Sequence, residues 1–177
     1  MRECGILLPV ASLPSRYGIG AFSKEAFQFI DQLKEAGQQY WQILPLGPTG
    51  YGDSPYQAFS AFAGNPYFID LEQLTEEGLL TKEECGAVDF GENERYIDYG
   101  KLYEGRFPLL RRAYERWKQM EFADARAEAV HRLAEQRLRE ETREYCFYMA
   151  VKNAFGGRSW SLWDEDIRLG RAEAVQE

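Results

Sequence analysis

Residues 40–71 read YWQILPLGPTGYGDSPYQAFSAFAGNPYFIDL. The stretch opens as an apolar strand, Tyr40 to Leu44, and Pro45 closes it by removing a backbone donor. It then becomes a loop dense in Gly, Pro and aromatic residues, with one carboxylate, Asp53, at its centre. A core has little use for Tyr51, Gly52, Asp53, Ser54 and Tyr56 packed so closely.

The strand acquires its fold on the N-terminal side. Cys4 to Leu8 (CGILL) is a second short apolar run, read as a buried strand ended by Pro9. Between the two runs a helix starts at Ser23 as N-cap, with Phe22 and Phe27 at the positions of a hydrophobic staple. Ala26, Ile30 and Leu33 repeat along one face of it, and Gly37 is placed to end it. Strand, helix and strand with a short return make a right-handed parallel crossover, so the class is α/β. In such a unit the loops leaving the carboxyl ends of both strands lie on one side of the sheet. Residues 9–22 and 45–66, rich in Gly, Pro, Tyr and Ser, are those loops, and in (β/α)8 barrels that face carries the active site.

Beyond Leu71 the pattern turns helical. Residues 72–85 read as a short polar helix, and residues 86–100 as a loop carrying Asp89, Asp98 and Tyr99. Leu102 to Met120 reads as a helix with Leu109, Leu110, Ala113 and Trp117 on one side and Pro108 as an early kink or restart. Asp124 to about Asn153 reads as a long amphipathic helix on Val130, Ala134, Leu138, Tyr145 and Met149. Glu128/Arg132 and Glu135/Arg139 form i,i+4 pairs on its outer side, and Gly156 and Gly157 end it, with Trp160 and Trp163 in a following turn. The last residues, DIRLGRAEAVQE, are charged and helix-prone without a cap. Only two parallel strands are evident where a closed barrel needs about 250 residues, so the chain reads as the front portion of a larger enzyme.

Composition narrows the function. The 177 residues are 45% hydrophobic and 15% aromatic, which suits a globular core. A net charge of −8 argues against nucleic acid and against anionic membrane surfaces. No apolar run approaches the ~20 residues of a membrane span, and the N-terminus lacks a signal-peptide pattern, so a cytoplasmic location is expected. Cys4, Cys85 and Cys146 are widely spaced with no CxxC pair, suiting neither a disulfide framework nor zinc; all three are expected reduced and partly buried. The single histidine, His131, excludes multi-histidine metal sites and reads as a surface or boundary residue of a charged helix.

The loop itself leaves two readings open. Aromatic rings offer flat apolar faces to sugar C–H groups, Asp53 can accept from paired sugar hydroxyls, and Ser54 can donate and accept. Gly50 and Gly52 permit unusual backbone conformations, and Pro55 stiffens the turn. Equally, Asp53-Ser54-Pro55 can be an Asx turn with the tyrosines packing around it.

Three segments, SLPSRYGIG, YWQILPLGPTGYGDSPYQAFSAFAGNPYFIDL and IDYGKLY, closely resemble the 4-α-glucanotransferases (amylomaltases, disproportionating enzymes) of glycoside hydrolase family 77. The likeness is collinear with the start of that family and covers nearly all of residues 4–104, the helical remainder fitting more loosely. It implies that residues 1–66 begin a catalytic (β/α)8 barrel and that residues 67–177 are a helical inserted subdomain, the barrel being incomplete in this chain. By position, Tyr56 corresponds to the ring that packs against the donor glucose beside the scissile bond. Ser54 and Asp53 correspond to polar neighbours in the same cleft. Tyr51 and Tyr103 match aromatic positions of a second glucan-contacting surface. Pro9 departs from the family, where many relatives carry histidine.

The resemblance implies α-1,4-glucan transfer with retention of configuration, through a carboxylate nucleophile and an acid/base carboxyl held roughly 5–5.5 Å apart. No metal or organic cofactor is implied. The partners implied are α-1,4-glucans and maltooligosaccharides, in glycogen and maltose metabolism. The family's catalytic carboxylates lie in R-x-D and T-H-D-N segments, and neither occurs in residues 1–177. No residue here is therefore assigned as catalytic. Asp70 reads as a structural hydrogen-bonding residue, and Asp53 and Glu72 are not catalysts either. The competing reading is a stand-alone α-glucan-binding or interaction module, and a weaker third is an α-glucan hydrolase of the same clan.

Overall fold

The computed structural model describes residues 2–93, 95–119, 128, 132, 140–171 and 173–174. The chain divides into two compact units, Met1–Ala127 and Glu128–Glu177.

In the first unit, strands β1 (Gly5–Leu7) and β2 (Tyr40–Gln42) pair in parallel, with Ile6 opposite Trp41. Helix α1 (Lys24–Glu35) makes the crossover between them. Gly37 ends it as expected: its φ is +71°, and the Gln38 amide returns to the Leu33 carbonyl at 2.9 Å. Ser23 is the N-cap residue, but its hydroxyl donates to the Glu25 carboxylate at 2.6 Å and caps no backbone amide. The staple does not form either. Phe27 is exposed, and Phe22 meets Phe68 edge-on.

Both runs form strands, though within these residues they are not buried. Ile6, Leu7, Tyr40 and Ile43 are exposed. Parallel strands are normally buried because layers cover both faces, and among the described residues that cover is partial: Ile6 and Leu7, which point to opposite faces, are both exposed. Leu8 and Trp41 pack with Val10, Leu13 and Ala26, and the Trp41 indole donates to the Leu8 carbonyl at 2.8 Å.

The larger core lies under the loops and among the helices. The expected single helix over 72–85 is two, α2 (Leu71–Glu76) and α3 (Lys82–Gly86). Gly78, at φ +75°, breaks the first, and a reciprocal Thr81–Glu84 capping box starts the second. Helix α4 runs from Tyr99 to Gln119, beginning three residues earlier than expected and continuing through Pro108. Leu102, Leu109 and Ala113 bury one side of it against Ile19, Tyr67, Leu71, Leu80 and Phe90, with Leu110 and Trp117 partly buried beside them. Glu84 ties α3 to α4 through Arg112 at 3.0 Å and Arg116 at 2.7 Å.

The second unit contains α5 (Glu140–Ala154), closed by Gly156 and Gly157 at positive φ, and α6 (Glu165–Arg168). Trp163 stacks on Phe155 and tilts against Tyr148. The expected Glu128–Arg132 pair is present at 3.5 Å. His131, Val130, Ala134, Leu138 and the Glu135/Arg139 pair lie outside the described residues. Cys85 is buried, whereas Cys4 and Cys146 are exposed and all three are free thiols, which corrects the expectation of partial burial throughout. Cys4 adjoins the uncovered strand, and Cys146 falls on an open face of α5.

Candidate functional site

Both loops that leave the carboxyl ends of β1 and β2 are held by their own backbone hydrogen bonds. The first is pulled tight where the Gly20 amide donates to the Ala11 carbonyl at 3.0 Å. Gly20 sits so close to that turn that a Cβ would fall 2.1 Å from the Val10 carbonyl oxygen.

The second loop rises as a small hairpin. Thr49 bridges Ala58 antiparallel, and the Gly50 amide donates to Gln57 and the Phe59 amide to Pro48. Two tight turns make its tip: the Asp53 amide reaches Gly50, and the Gln57 amide reaches Ser54. Asp53 takes a left-handed backbone at φ +52°, which aspartate tolerates better than most residues. Its carboxylate accepts from the Thr49 hydroxyl at 3.1 Å, so it bonds back across the hairpin and not forward as an Asx turn would. The Tyr56 amide approaches the Ser54 hydroxyl at 3.4 Å.

This tip brings four of the five sequence-selected residues together: Tyr51, Asp53, Ser54 and Tyr56. Tyr51 is 102% exposed and Tyr56 74%, so neither ring is a packing residue. The all-packing reading of these tyrosines fails. The fifth residue, Tyr103, stands apart on α4, exposed and edge-on to Phe107. Tyr51 forms no ring pair among the described residues.

Asp53 also has neighbours that sequence reasoning missed. It borders a hollow of about 180 Å³ shared with Pro9, Ser12, Leu44, Thr49 and Tyr99. Burial pushes the Tyr67 hydroxyl up to about 12, and the Asp53 charge adds to it. Tyr99 is raised by the same two causes in the same order. Both phenols therefore stay protonated at neutral pH and can donate. The signal for Tyr99 was its place in IDYGKLY; Tyr67 offered only NPYFIDL.

Asp70 has a structural task, as expected. Its carboxylate accepts from the Glu72 amide at 2.9 Å and caps α2. No group of three or more His, Cys, Asp or Glu is arranged to hold a metal among the described residues. Among those residues, no helix is long and apolar enough to cross a membrane.

A mixed helix-and-strand protein with a parallel crossover and an aromatic, carboxylate-bearing loop at its strand ends is thus defined. Its sequence matches the family described as 4-alpha-glucanotransferase over residues 8–177, and the chain belongs to that family. It is 45% identical to the 4-alpha-glucanotransferase of Clostridium butyricum over 95% of this chain and 33% of that protein. It is also 45% identical to that of Thermus thermophilus, over 99% of this chain and 34% of the relative. An amylomaltase from Streptococcus agalactiae, solved in complex with acarbose, superposes with a TM-score of 0.87 at 38% identity, covering 99% of this chain and 35% of that one. The chain therefore spans about a third of the length of the relatives it matches.

Proposed function

We propose that this chain forms one wall of an α-1,4-glucan cleft in a 4-α-glucanotransferase, presenting maltooligosaccharides to catalytic carboxylates that residues 1–177 do not contain. The observation that carries this reading is the hairpin tip. Tyr56 offers a bare aromatic face to solvent beside Asp53 and Ser54, the mixture of flat apolar and polar groups that a sugar ring needs. Family membership and an acarbose-bound neighbour support it.

In this reading Tyr56 is the platform for the donor glucose, with Asp53 and Ser54 bonding its hydroxyls. Tyr51 and Tyr103 contact glucan on a separate surface. Residues 1–66 begin a (β/α)8 barrel and residues 67–177 form an inserted helical subdomain. The complete enzyme transfers α-1,4-glucan segments with retention, in the cytoplasm, and the 177-residue chain has no transferase activity alone.

Calorimetric titration of the chain with maltoheptaose tests the platform. Binding to the wild type that disappears in Tyr56→Ala is the expected result. Equal affinity in the two proteins would refute the assignment of Tyr56, and absence of binding to both would show that this chain holds no preformed glucan site.

A further inference from the structure

Arg106 breaks the rule of its own helix. The inward stripe of α4 runs Leu102, Arg106, Leu109, Ala113, so a guanidinium occupies an apolar position in the middle of the larger core. It is 1% exposed. Among the described residues it forms no salt bridge, and Asp70, whose charge acts on it most favourably, is engaged in capping α2. Burial lowers its affinity for the proton to about 10, so it remains a cation at neutral pH.

Its bonds explain its presence. One terminal nitrogen donates to the Tyr17 carbonyl at 3.4 Å and the other to the Ile69 carbonyl, while Nε has no partner. Tyr17 belongs to the loop after β1. Ile69 lies just where the long segment after β2 re-enters helix. The two carbonyls are far apart in sequence and belong to no shared sheet or helix. A planar fork joins them from two separate nitrogens at a fixed spacing, whereas a lysine would have to reach both from one nitrogen on a flexible stem.

We propose that Arg106 is the positioning residue of the candidate cleft. It clamps the loop after β1 to the end of the segment after β2, so that these two segments are held at a fixed separation. A buried cation without an ion pair is weak support for stability, and fixing one arrangement among several is the role that suits it. The clamp is a property of the fold itself; its bearing on sugar binding rests on the glucan reading above.

Hydrogen exchange followed by mass spectrometry, well below the melting transition, tests the clamp without any ligand. In Arg106→Lys, peptides covering residues 15–22 and 66–70 are expected to exchange about tenfold faster, while the inner turns of α4 exchange as in the wild type. Arg106→Met is expected to show the same local pattern. A uniform rise that includes α4, or no change in either loop, would overturn the proposal. So would failure of both variants to fold, since Arg106 would then be a general core residue. Maltoheptaose titration of Arg106→Lys is a separate readout. Weakened binding is expected there, and a wild-type chain that binds no glucan refutes the glucan reading while the exchange pattern still decides the clamp.

Discussion

The Thr49 hydroxyl donates to the Asp53 carboxylate at 3.1 Å, so the acid at the hairpin tip is already anchored by a residue of its own loop. One carboxylate oxygen is engaged and the other retains its acceptor capacity. In the proposed glucan reading Asp53 has two tasks, holding the turn and meeting a ligand.

Asp53→Gly removes the carboxylate while keeping the backbone of the turn. Glycine accepts the +52° backbone at no steric cost but loses the Thr49 hydrogen bond, so the melting temperature should fall by about 2–4 °C, the shift that about 1 kcal/mol produces. Maltoheptaose affinity should fall about tenfold, the size of one charge-assisted hydrogen bond. A variant with unchanged affinity would leave Asp53 as a turn residue alone.

The parts of this fold legible in the sequence were those decided within a few residues. Gly37 ended a helix because only its own φ mattered, and the apolar runs CGILL and YWQIL gave strands wherever they fell. What escaped was set by distant partners. Ser23 looks like a cap, but Glu25 captures its hydroxyl. Phe22 should meet Phe27, yet Phe68 competes for it from far along the chain. Arg106 is charged, and a charge in a helix reads as a solvated face. Only the tertiary path, which brings Tyr17 and Ile69 to it, makes burial tolerable. The site behaves likewise: the tip residues are sequence neighbours and were found together, whereas Tyr67 and Tyr99 come under the influence of the Asp53 charge only through folding.

Two glycines distinguish close packing from backbone strain. A Cβ at Gly20 would meet the Val10 carbonyl at 2.1 Å and the Leu13 amide nitrogen at 2.7 Å, backbone atoms that cannot swing aside. Gly20→Ala should therefore cost at least about 2 kcal/mol. Gly37→Ala meets nothing within 4 Å and bears only the left-handed penalty at φ +71°, about 1 kcal/mol. Urea unfolding of the two variants should give that order, and the reverse order would mean that the first loop is not packed as described.

Glu84 makes stability sensitive to acid. Its hydrogen bonds to Arg116, the Arg112 charge and the Thr81 amide hold its carboxyl down at about 2, against an ordinary value of 4.5. A depressed folded value contributes stability that is complete above the unfolded value and is lost as pH falls through the folded one. The loss attributable to this group therefore falls between pH 4.5 and about 2. Glu84→Gln should lower the melting temperature at pH 7 and flatten its fall across that window. Parallel curves for the two proteins would show that the Glu84–Arg116 bridge does not couple α3 to α4.

The uncovered strands should govern solution behaviour. Leu7 is 57% exposed on a two-stranded sheet, with Ile6 and Ile43 also open, and parallel strands with free edges and apolar side chains pair with other copies. The purified chain is expected to self-associate as concentration rises. Because the Leu7 side chain is already largely in water, Leu7→Lys removes apolar surface without opening a cavity, and charge on such a face opposes edge pairing. Light scattering should find the variant monomeric to higher concentration than the wild type, with thermal unfolding shifted by no more than about 2 °C. If the variant associates as readily as the parent, the exposed sheet is not the contact that drives association.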